Sequence, residues 1–204
     1  MKPHAARAVL ALPAGGKRML SLILASASPR RREILTLAGV PFEVCPAADE
    51  TAPAHLPPAT YALALAKSKA CAVSSAYSES AVLGADTIVV LDDMILGKPQ
   101  DAGDAVRMLC ALGGRSHKVM TGVWLCTPDG GDGFTDITEV EFYPITEQEA
   151  KTYVATGEPM DKAGAYGIQG FGMRFVRGIH GDYYNVMGLP GAKVLRFLKK
   201  HGIL

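Results

Sequence analysis

Three consecutive arginines follow a helix-start signal near the beginning of the chain, in the stretch LASASPRRRE. Ser28 is a favourable N-cap and Pro29 a favourable first helical residue, so a helix is predicted from Pro29 to about Gly39. Cations at the positive end of a helix dipole are unfavourable unless an anion binds there. Together with the hydroxyls of Ser26 and Ser28, the guanidinium groups predict a phosphate site, and a solvated basic surface is the alternative.

A carboxylate interrupts a second apolar segment, VLGADTIVVLDDMILGKP. Projected from a strand, Asp86 can hold a metal ion or accept a proton from water, and a carboxylate that only forms a turn is the alternative. The segment also predicts a hairpin with its turn at Asp92 and Asp93, which brings Lys98 back towards Asp86. We therefore expect a polar site beside this strand.

Lys69 lies on an alanine-rich helix predicted from Ala59 to about Tyr77, one turn after Leu65 and one turn before Val73. This spacing directs Lys69 along a partly apolar face, where an ammonium group normally needs a partner. Snorkelling of the side chain to solvent is the alternative, and helical spacing alone slightly favours it.

Glycines crowd the stretch GEPMDKAGAYGIQGFG, which predicts a shaped loop that approaches a ligand closely. The stretch does not follow a strand as a dinucleotide fingerprint does, and no Walker phosphate loop occurs in the chain, so neither site is predicted. His117 and His180 have no metal-ligand partner at helical spacing and no nearby serine-nucleophile pattern. Both histidines are expected in the core or in a pocket wall.

The elements that must position these residues alternate between strand and helix. Strands are predicted at Leu20–Ala25, Phe42–Cys45, Val82–Ala85, Thr87–Leu91, Met94–Leu96, His117–Cys126, Phe134–Tyr143 and Phe171–Val176. Further helices are predicted at Asp101–Leu112, Thr146–Thr156 (with a capping box) and Leu189–Lys200. This order predicts an α/β fold with a mixed central sheet, flanking helices and a cleft at the carboxyl edge of the sheet.

The composition is that of an ordinary globular protein: 204 residues, 49% hydrophobic and 20% charged, with a formal net charge of +1. Such a balance gives no electrostatic case for a nucleic-acid or membrane partner. Four widely spaced cysteines suggest neither a zinc site nor a disulfide framework, so a cytoplasmic location is expected. Residues 1–19 are expected to form a poorly ordered extension, and residues 20–204 a single domain with two lobes around the cleft.

Taken in order and spacing, LASASPRR, LAKSKA, GADTIVVLDDMILGKP, HKVMTG, GEPMDKAGAYGIQG and HGDYYNVMGLP resemble the Maf family of nucleotide pyrophosphatases. The resemblance covers about Leu20 to Lys200. It implies a fold of the Maf/inosine-triphosphate-pyrophosphatase type, often dimeric, so a homodimer is left open. It also implies hydrolysis of a nucleoside triphosphate to the monophosphate and pyrophosphate with a divalent cation, Mg²⁺ or Mn²⁺.

The resemblance also implies roles for individual residues. Asp86 corresponds to the catalytic base and metal ligand of the family, and Glu50 to an acidic position linked to the metal. Phosphate-handling positions correspond to Ser26, Arg30, Arg31, Lys69 and Lys98. Three residues, Arg30, Thr87 and Gln169, look like those of the dTTP/UTP branch of the family. A glutamine amide suits the N3–H and O4 edge that uracil and thymine share. The four positive charges of Arg30, Arg31, Lys69 and Lys98 would balance the roughly four negative charges of a triphosphate.

The mechanism that this resemblance implies is in-line attack of water on the triphosphate, with Asp86 as the base and the cations stabilising the leaving pyrophosphate. Two alternatives remain open from the sequence. One is a pyrophosphatase with another nucleotide preference, including modified pyrimidines. The other is a nucleotide-binding regulator of septum formation, which binds at this site without turnover.

Overall fold

The computed structural model describes residues 20–47 and 55–204, and it contains a seven-stranded mixed sheet. The strands are β1 (Leu22–Leu24), β2 (Glu43–Val44), β3 (Ala81–Leu91), β4 (Met94–Leu96), β5 (Ser116–Thr127), β6 (Gly130–Phe142) and β7 (Val176–His180). Their order in the sheet is β2-β1-β3-β5-β6-β7, and β4 pairs with one end of β3. Strands β1, β2 and β3 are parallel, whereas the remaining pairs are antiparallel. The predicted α/β class with a mixed central sheet is confirmed.

Six α-helices flank the sheet in the described part of the chain. They are α1 (Pro29–Leu37), α2 (Pro58–Ser74), α3 (Ala102–Leu112), α4 (Glu147–Val154), α5 (Tyr183–Met187) and α6 (Gly191–Lys200). The predicted caps are confirmed: Ser28 Oγ accepts from the Arg31 amide at the start of α1, and Thr146 forms a capping box with Glu149 at the start of α4. Local cap chemistry therefore sets where both helices begin.

The central strand, β3, is continuous through Asp86, so the prediction of two separate strands around that residue is wrong. On one side β3 pairs with β5 from Val82 to Val90. On its other side β1 covers only Ala81–Leu83 and β4 covers only Val89–Leu91. No described strand pairs with the segment between these two, so the edge of residues 84–88 is open. Because neighbouring side chains of a strand point to opposite faces, Asp86 and Thr87 lie on opposite faces of the sheet at this opening.

Two glycines let α2 lie directly against the sheet. A Cβ atom added at Gly84 would lie 2.3 Å from the carbonyl oxygen of Ala66, and one added at Gly122 would lie 2.3 Å from that of Ala62. Any side chain at these positions would push α2 away from the sheet. The close approach explains why Gly84 occurs inside β3 without ending the strand.

The region after α4 differs most from the sequence prediction. Residues predicted as the strand Phe171–Val176 form a 3₁₀ helix over Gly170–Phe175, and the strand β7 begins only at Val176. Two more 3₁₀ helices, Glu158–Asp161 and Ala163–Ala165, precede it, which agrees with the predicted shaped loop. The short helix α5 was not predicted. Helix α6 begins at Gly191, two residues later than expected, because Pro190 is its N-cap and has a non-helical ψ of 84°.

Two large apolar clusters pack against different parts of β3. One contains Leu83 and Ala85 with residues of β1, α1 and α6, and the other contains Val89 and Leu91 with residues of α3 and α4. Thr87 lies between the two clusters, at the open edge of β3. The predicted extension over residues 1–19 lies outside the described residues, and the domain boundary at residue 20 stays a prediction.

Candidate functional site

A cavity of about 750 Å³ lies at the open edge of β3. Its lining brings together every predicted site residue that the structure describes: Ser26, Arg30, Arg31, Lys69, Asp86, Thr87, Lys98 and Gln169. Glu50, the other predicted metal ligand, lies outside the described residues. The sequence prediction therefore converges on one place, although the role of each residue stays a prediction.

A buried ion pair joins α2 to the centre of β3. Lys69 Nζ lies 2.6 Å from Asp86 Oδ1, and the two side chains are only 10% and 13% exposed. The ammonium group of Lys69 is therefore paired inside the protein, and the snorkelling alternative is wrong. The side chain reaches Asp86 because Gly84, on the same face of β3, lets α2 approach the strand.

The guanidinium group of Arg31 is buried and ties three elements together. Nε donates to the carbonyl oxygen of Gly188 at 2.8 Å, while the two terminal nitrogens donate to Ser26 Oγ and Thr87 Oγ1 at 3.1 Å each. Thr87 Oγ1 also lies 3.0 Å from Thr121 Oγ1 on β5. These contacts fix the start of α1 against β3 and the end of α5, and they place the positive charge of Arg31 in the lining of the cavity.

The neighbouring arginines have different surroundings. Arg30 Nη1 lies 3.4 Å from Oδ2 of Asp161, a residue of the first 3₁₀ helix that also lines the cavity. Asp161 in turn accepts from Lys162 Nζ at 2.6 Å. Burial raises the pKa of Asp161, but its bonds to Lys162 and Arg30 outweigh that effect and hold the pKa below its usual range. Arg32 is exposed, as a solvated surface residue would be.

The last two predicted residues lie on segments that border the cavity. Lys98 follows β4, is exposed and forms no ion pair with a described residue. Gln169 lies in the middle of Gly167–Gly172, which we call the cleft loop, and its side chain makes no hydrogen bond with a described residue. Both side chains are therefore available to a ligand.

Sequence reasoning missed several polar residues of the cavity. Glu158, Asp161 and Lys162 line it, as do the aromatic side chains of Tyr61 and Tyr166. Their signal was present, because the first three lie in the quoted GEPMDKAGAYGIQG motif, in which only Gln169 was given a role of its own. Five cationic and three anionic side chains thus line the described cavity, and the simple balance of four cations against a triphosphate is incomplete.

The two predicted pocket-wall histidines differ in burial. His117 is buried, with Nε2 2.8 Å from the hydroxyl oxygen of Tyr166, which confirms the prediction for this residue. Burial lowers the pKa of His117 to about 4, so the ring is neutral near pH 7. His180 lies exposed on β7, so the prediction for that residue is wrong.

The carboxylates of the cavity fit a cation that arrives with phosphate groups. Among the described residues, no group of three or more His, Cys, Asp or Glu side chains is placed to hold a metal ion. Mg²⁺, however, is commonly held by one or two carboxylates while substrate phosphates and water complete its shell. Asp86 Oδ1 accepts from Lys69, and the other carboxylate oxygen accepts no hydrogen bond from a described residue. The donor set fits a nucleotide-borne cation better than a closed protein cage.

A helix start, buried guanidinium and ammonium groups and a carboxylate at one strand edge define an α/β protein with a cavity suited to a polyanion. The chain belongs to the Maf family: the family described as "Maf-like protein" matches residues 21–201. The motifs that suggested this family therefore reflect true membership.

Curated relatives cover most of the chain. A protein of Bacillus cytotoxicus named "dTTP/UTP pyrophosphatase" is 53% identical over 183 residues, which span 89% of this chain and 96% of that protein. A protein of Moorella thermoacetica with the same name is 50% identical over 188 residues, which span 91% and 97%. A solved nucleoside-triphosphatase / dITP/XTP pyrophosphatase of Mycobacterium abscessus is 15% identical over 90% of this chain and 96% of that chain, with a TM-score of 0.41. At that score the likeness carries no argument.

No helix in residues 20–47 or 55–204 is both long and apolar enough to cross a bilayer.

Proposed function

We propose that this protein is a cytoplasmic pyrophosphatase that hydrolyses dTTP and UTP to the monophosphate and pyrophosphate, assisted by a divalent cation. The observation that carries the proposal is the buried Lys69–Asp86 pair at the wall of a cavity that also holds the start of α1. The printed names of relatives that are about half identical over nearly their whole length support the same activity.

Asp86 is proposed as the general base. One carboxylate oxygen is held by Lys69 at 2.6 Å, which fixes the orientation of the group and leaves the second oxygen for a water molecule. As the water oxygen bonds to phosphorus, its proton passes to Asp86. The bridging P–O bond breaks on the opposite side, and its electron pair leaves with pyrophosphate.

The cations of the cavity are proposed to hold the triphosphate and stabilise the charge that develops during attack. The amides of the first turn of α1, the guanidinium of Arg30 and the ammonium of Lys98 are the proposed phosphate ligands. Arg31 supplies a further positive charge, while its contacts to Ser26 and Thr87 keep the helix start in place. Arg30 would exchange its 3.4 Å contact with Asp161 for phosphate oxygens.

A divalent cation bound with the triphosphate, with Asp86 and Glu50 as its proposed protein ligands, would supply Lewis-acid polarisation of the phosphoryl oxygens. Gln169 is proposed to select the base, because one amide offers a donor and an acceptor to the edge that uracil and thymine share. The partner is thus a nucleoside triphosphate rather than a nucleic acid or a membrane. Light scattering would determine whether the chain forms the homodimer that the resemblance leaves open.

The test is pyrophosphate release from a panel of ribonucleoside and deoxyribonucleoside triphosphates with Mg²⁺ or Mn²⁺. We expect UTP and dTTP to be cleaved fastest, and chelation by EDTA to stop turnover until the metal is restored. Asp86→Asn should lower kcat by about 10²- to 10⁴-fold, whereas Asp129→Asn on the exposed β5–β6 turn should leave it unchanged.

Three outcomes would contradict parts of this proposal. Cleavage of other nucleotides with UTP and dTTP untouched would overturn the base preference. Full turnover by Asp86→Asn would overturn the assignment of the base. Tight nucleotide binding without any cleavage would favour the binding regulator instead.

A further inference from the structure

The two ends of the cleft loop are held by two side chains that are hydrogen-bonded to each other. Tyr153, on α4, accepts from the Gly167 amide at 3.2 Å and donates to Glu158 Oε1 at 2.8 Å. Glu158 Oε2 accepts from the Phe171 amide at 2.9 Å, and Oε1 accepts from the Gly172 amide at 3.2 Å. The four hydrogen bonds form one connected group, so either side chain alone influences both ends of the loop.

The carboxylate of Glu158 also lies directly against the middle of the loop. Gly170 has a φ of +68°, and a Cβ atom added there would lie 2.6 Å from Glu158 Oε2. The loop therefore folds closely around this carboxylate, which explains why a 3₁₀ helix replaces the strand predicted after it. Gln169 lies between the held ends, and its side chain lines the cavity.

Glu158 acts in this group only as an acceptor. Burial raises the pKa of Glu158, but the hydrogen bonds from the Phe171 amide, the Tyr153 hydroxyl and the Gly172 amide outweigh it and keep the pKa below the usual value. A glutamine could not replace it without loss, because its amide nitrogen would face a backbone N–H. The charge of Glu158 is thus matched to the loop it holds.

We propose that Tyr153 and Glu158 are positioning residues that hold the cleft loop and thereby set the base selectivity of the cavity through Gln169. This inference rests on the proposed function, because it assigns Gln169 to the nucleobase. A hydrogen-bonding group must be held within about 0.5 Å of its productive place to discriminate between bases. Neither Tyr153 nor Glu158 contacts Lys69 or Asp86 through a hydrogen bond, so the chemical step should be spared.

The first test is Tyr153→Phe, measured as kcat and KM for UTP, dTTP and CTP. The variant keeps the ring, which packs edge-on against Phe175 with centroids 5.3 Å apart, and removes only the hydroxyl. Because two hydrogen bonds of the group are lost, we expect KM for UTP to rise about tenfold and the preference for UTP over CTP to fall about tenfold. We expect kcat to stay within about twofold, because the nucleobase of the substrate is held apart from the reacting phosphorus.

Matched controls are available on the surface. Tyr143→Phe removes a hydroxyl from a side chain that is 53% exposed, and Glu147→Gln removes a charge from an exposed residue of α4. Both should leave KM and selectivity unchanged, whereas Glu158→Gln should act in the same direction as Tyr153→Phe. An unchanged preference for UTP over CTP in Tyr153→Phe and Glu158→Gln would overturn the proposal, as would an equal loss of kcat with every nucleotide.

A second measurement does not depend on turnover. Hydrogen exchange of the amides of Gly167, Phe171 and Gly172 should be about tenfold faster in Tyr153→Phe than in the wild type, and unchanged in Tyr143→Phe. Unchanged exchange would show that Tyr153 and Glu158 do not hold the cleft loop, whatever the wild type hydrolyses. A wild type that cleaves no nucleotide would instead overturn the proposed function. Hydrogen exchange would still report whether Tyr153 and Glu158 hold the cleft loop, so the two failures are distinguishable.

Discussion

Replacing Lys69 by methionine is expected to destabilise the protein, because it leaves the buried carboxylate of Asp86 without its partner. The two charges lie 2.6 Å apart and are about nine-tenths buried. At an effective dielectric constant of about 20, such a pair attracts by about 6 kcal/mol. Part of that attraction only offsets desolvation, so we expect the free energy of unfolding to fall by about 3 kcal/mol when the pair is broken from one side.

The assay is urea and thermal unfolding of the wild type, Lys69→Met, Asp86→Asn and the double variant. For a chain of this length, a loss of about 3 kcal/mol lowers the midpoint temperature by about 6 to 12 °C. The double variant should be more stable than the sum of the single losses predicts, by about 2 kcal/mol, because it no longer buries an unpaired charge.

The matched control is Lys151→Met, which breaks the exposed pair between Lys151 and Glu147 on α4. Since its side chains are 58% and 68% exposed, solvent screens the pair and we expect no measurable change in the free energy of unfolding. If Lys69→Met behaved like this control, or if the losses of the two single variants simply added, the reasoning from burial would be refuted.

Three further variants test the walls of the cavity. Arg31→Lys keeps the charge but cannot reach acceptors on three elements, so it should cost about 2 kcal/mol in urea unfolding; the exposed Arg32→Lys should cost less than about 0.5 kcal/mol. Gly84→Ala places a methyl group 2.3 Å from a carbonyl oxygen of α2 and should cost about 2 to 3 kcal/mol, whereas Gly97→Ala, with nothing within 4 Å, should be neutral within about 0.5 kcal/mol. The pKa of His117 is lowered to about 4 in the folded protein, so the unfolded chain binds a proton first as the pH falls from about 6.5. The free energy of unfolding should therefore fall by about 3 kcal/mol between about pH 6.5 and pH 4, and His117→Gln should not show this loss.

Local signals in the sequence were sufficient for the elements that begin with a strong cap. Ser28 and Pro29 located the start of α1, and the Thr146 capping box located the start of α4. These features depend on residues within one turn of each other, so no tertiary contact is needed to infer them. The same holds for the Asp92–Asp93 turn, where both residues adopt positive φ between β3 and β4.

Tertiary contacts decided the features that the sequence did not predict. The predicted break was at Asp86, but β3 continues through that residue. Gly84, inside the strand, admits α2 through a contact between residues about 18 positions apart that no local pattern reveals. Lys69 was favoured to snorkel, since its helix alone offers no carboxylate, and Asp86 reaches it from the strand. The 3₁₀ helix after Gln169 likewise depends on Glu158, eleven positions earlier.

The arginine cluster that conflicts with the dipole of α1 resolves into three different cases. Arg32 is solvated and therefore costs little. Arg30 is partly exposed and pairs with the carboxylate of Asp161, so its charge is compensated by that contact and can be released to an anion. Arg31 is buried, and its donors are directed to the neutral oxygens of Ser26, Thr87 and Gly188. These three hydrogen bonds fix the position of the guanidinium group beside the start of α1. A polyanion in the cavity would then be stabilised by a charge whose position is fixed before binding, and substitution of Thr87 should weaken that effect through Arg31 even if Thr87 itself never touches the nucleotide.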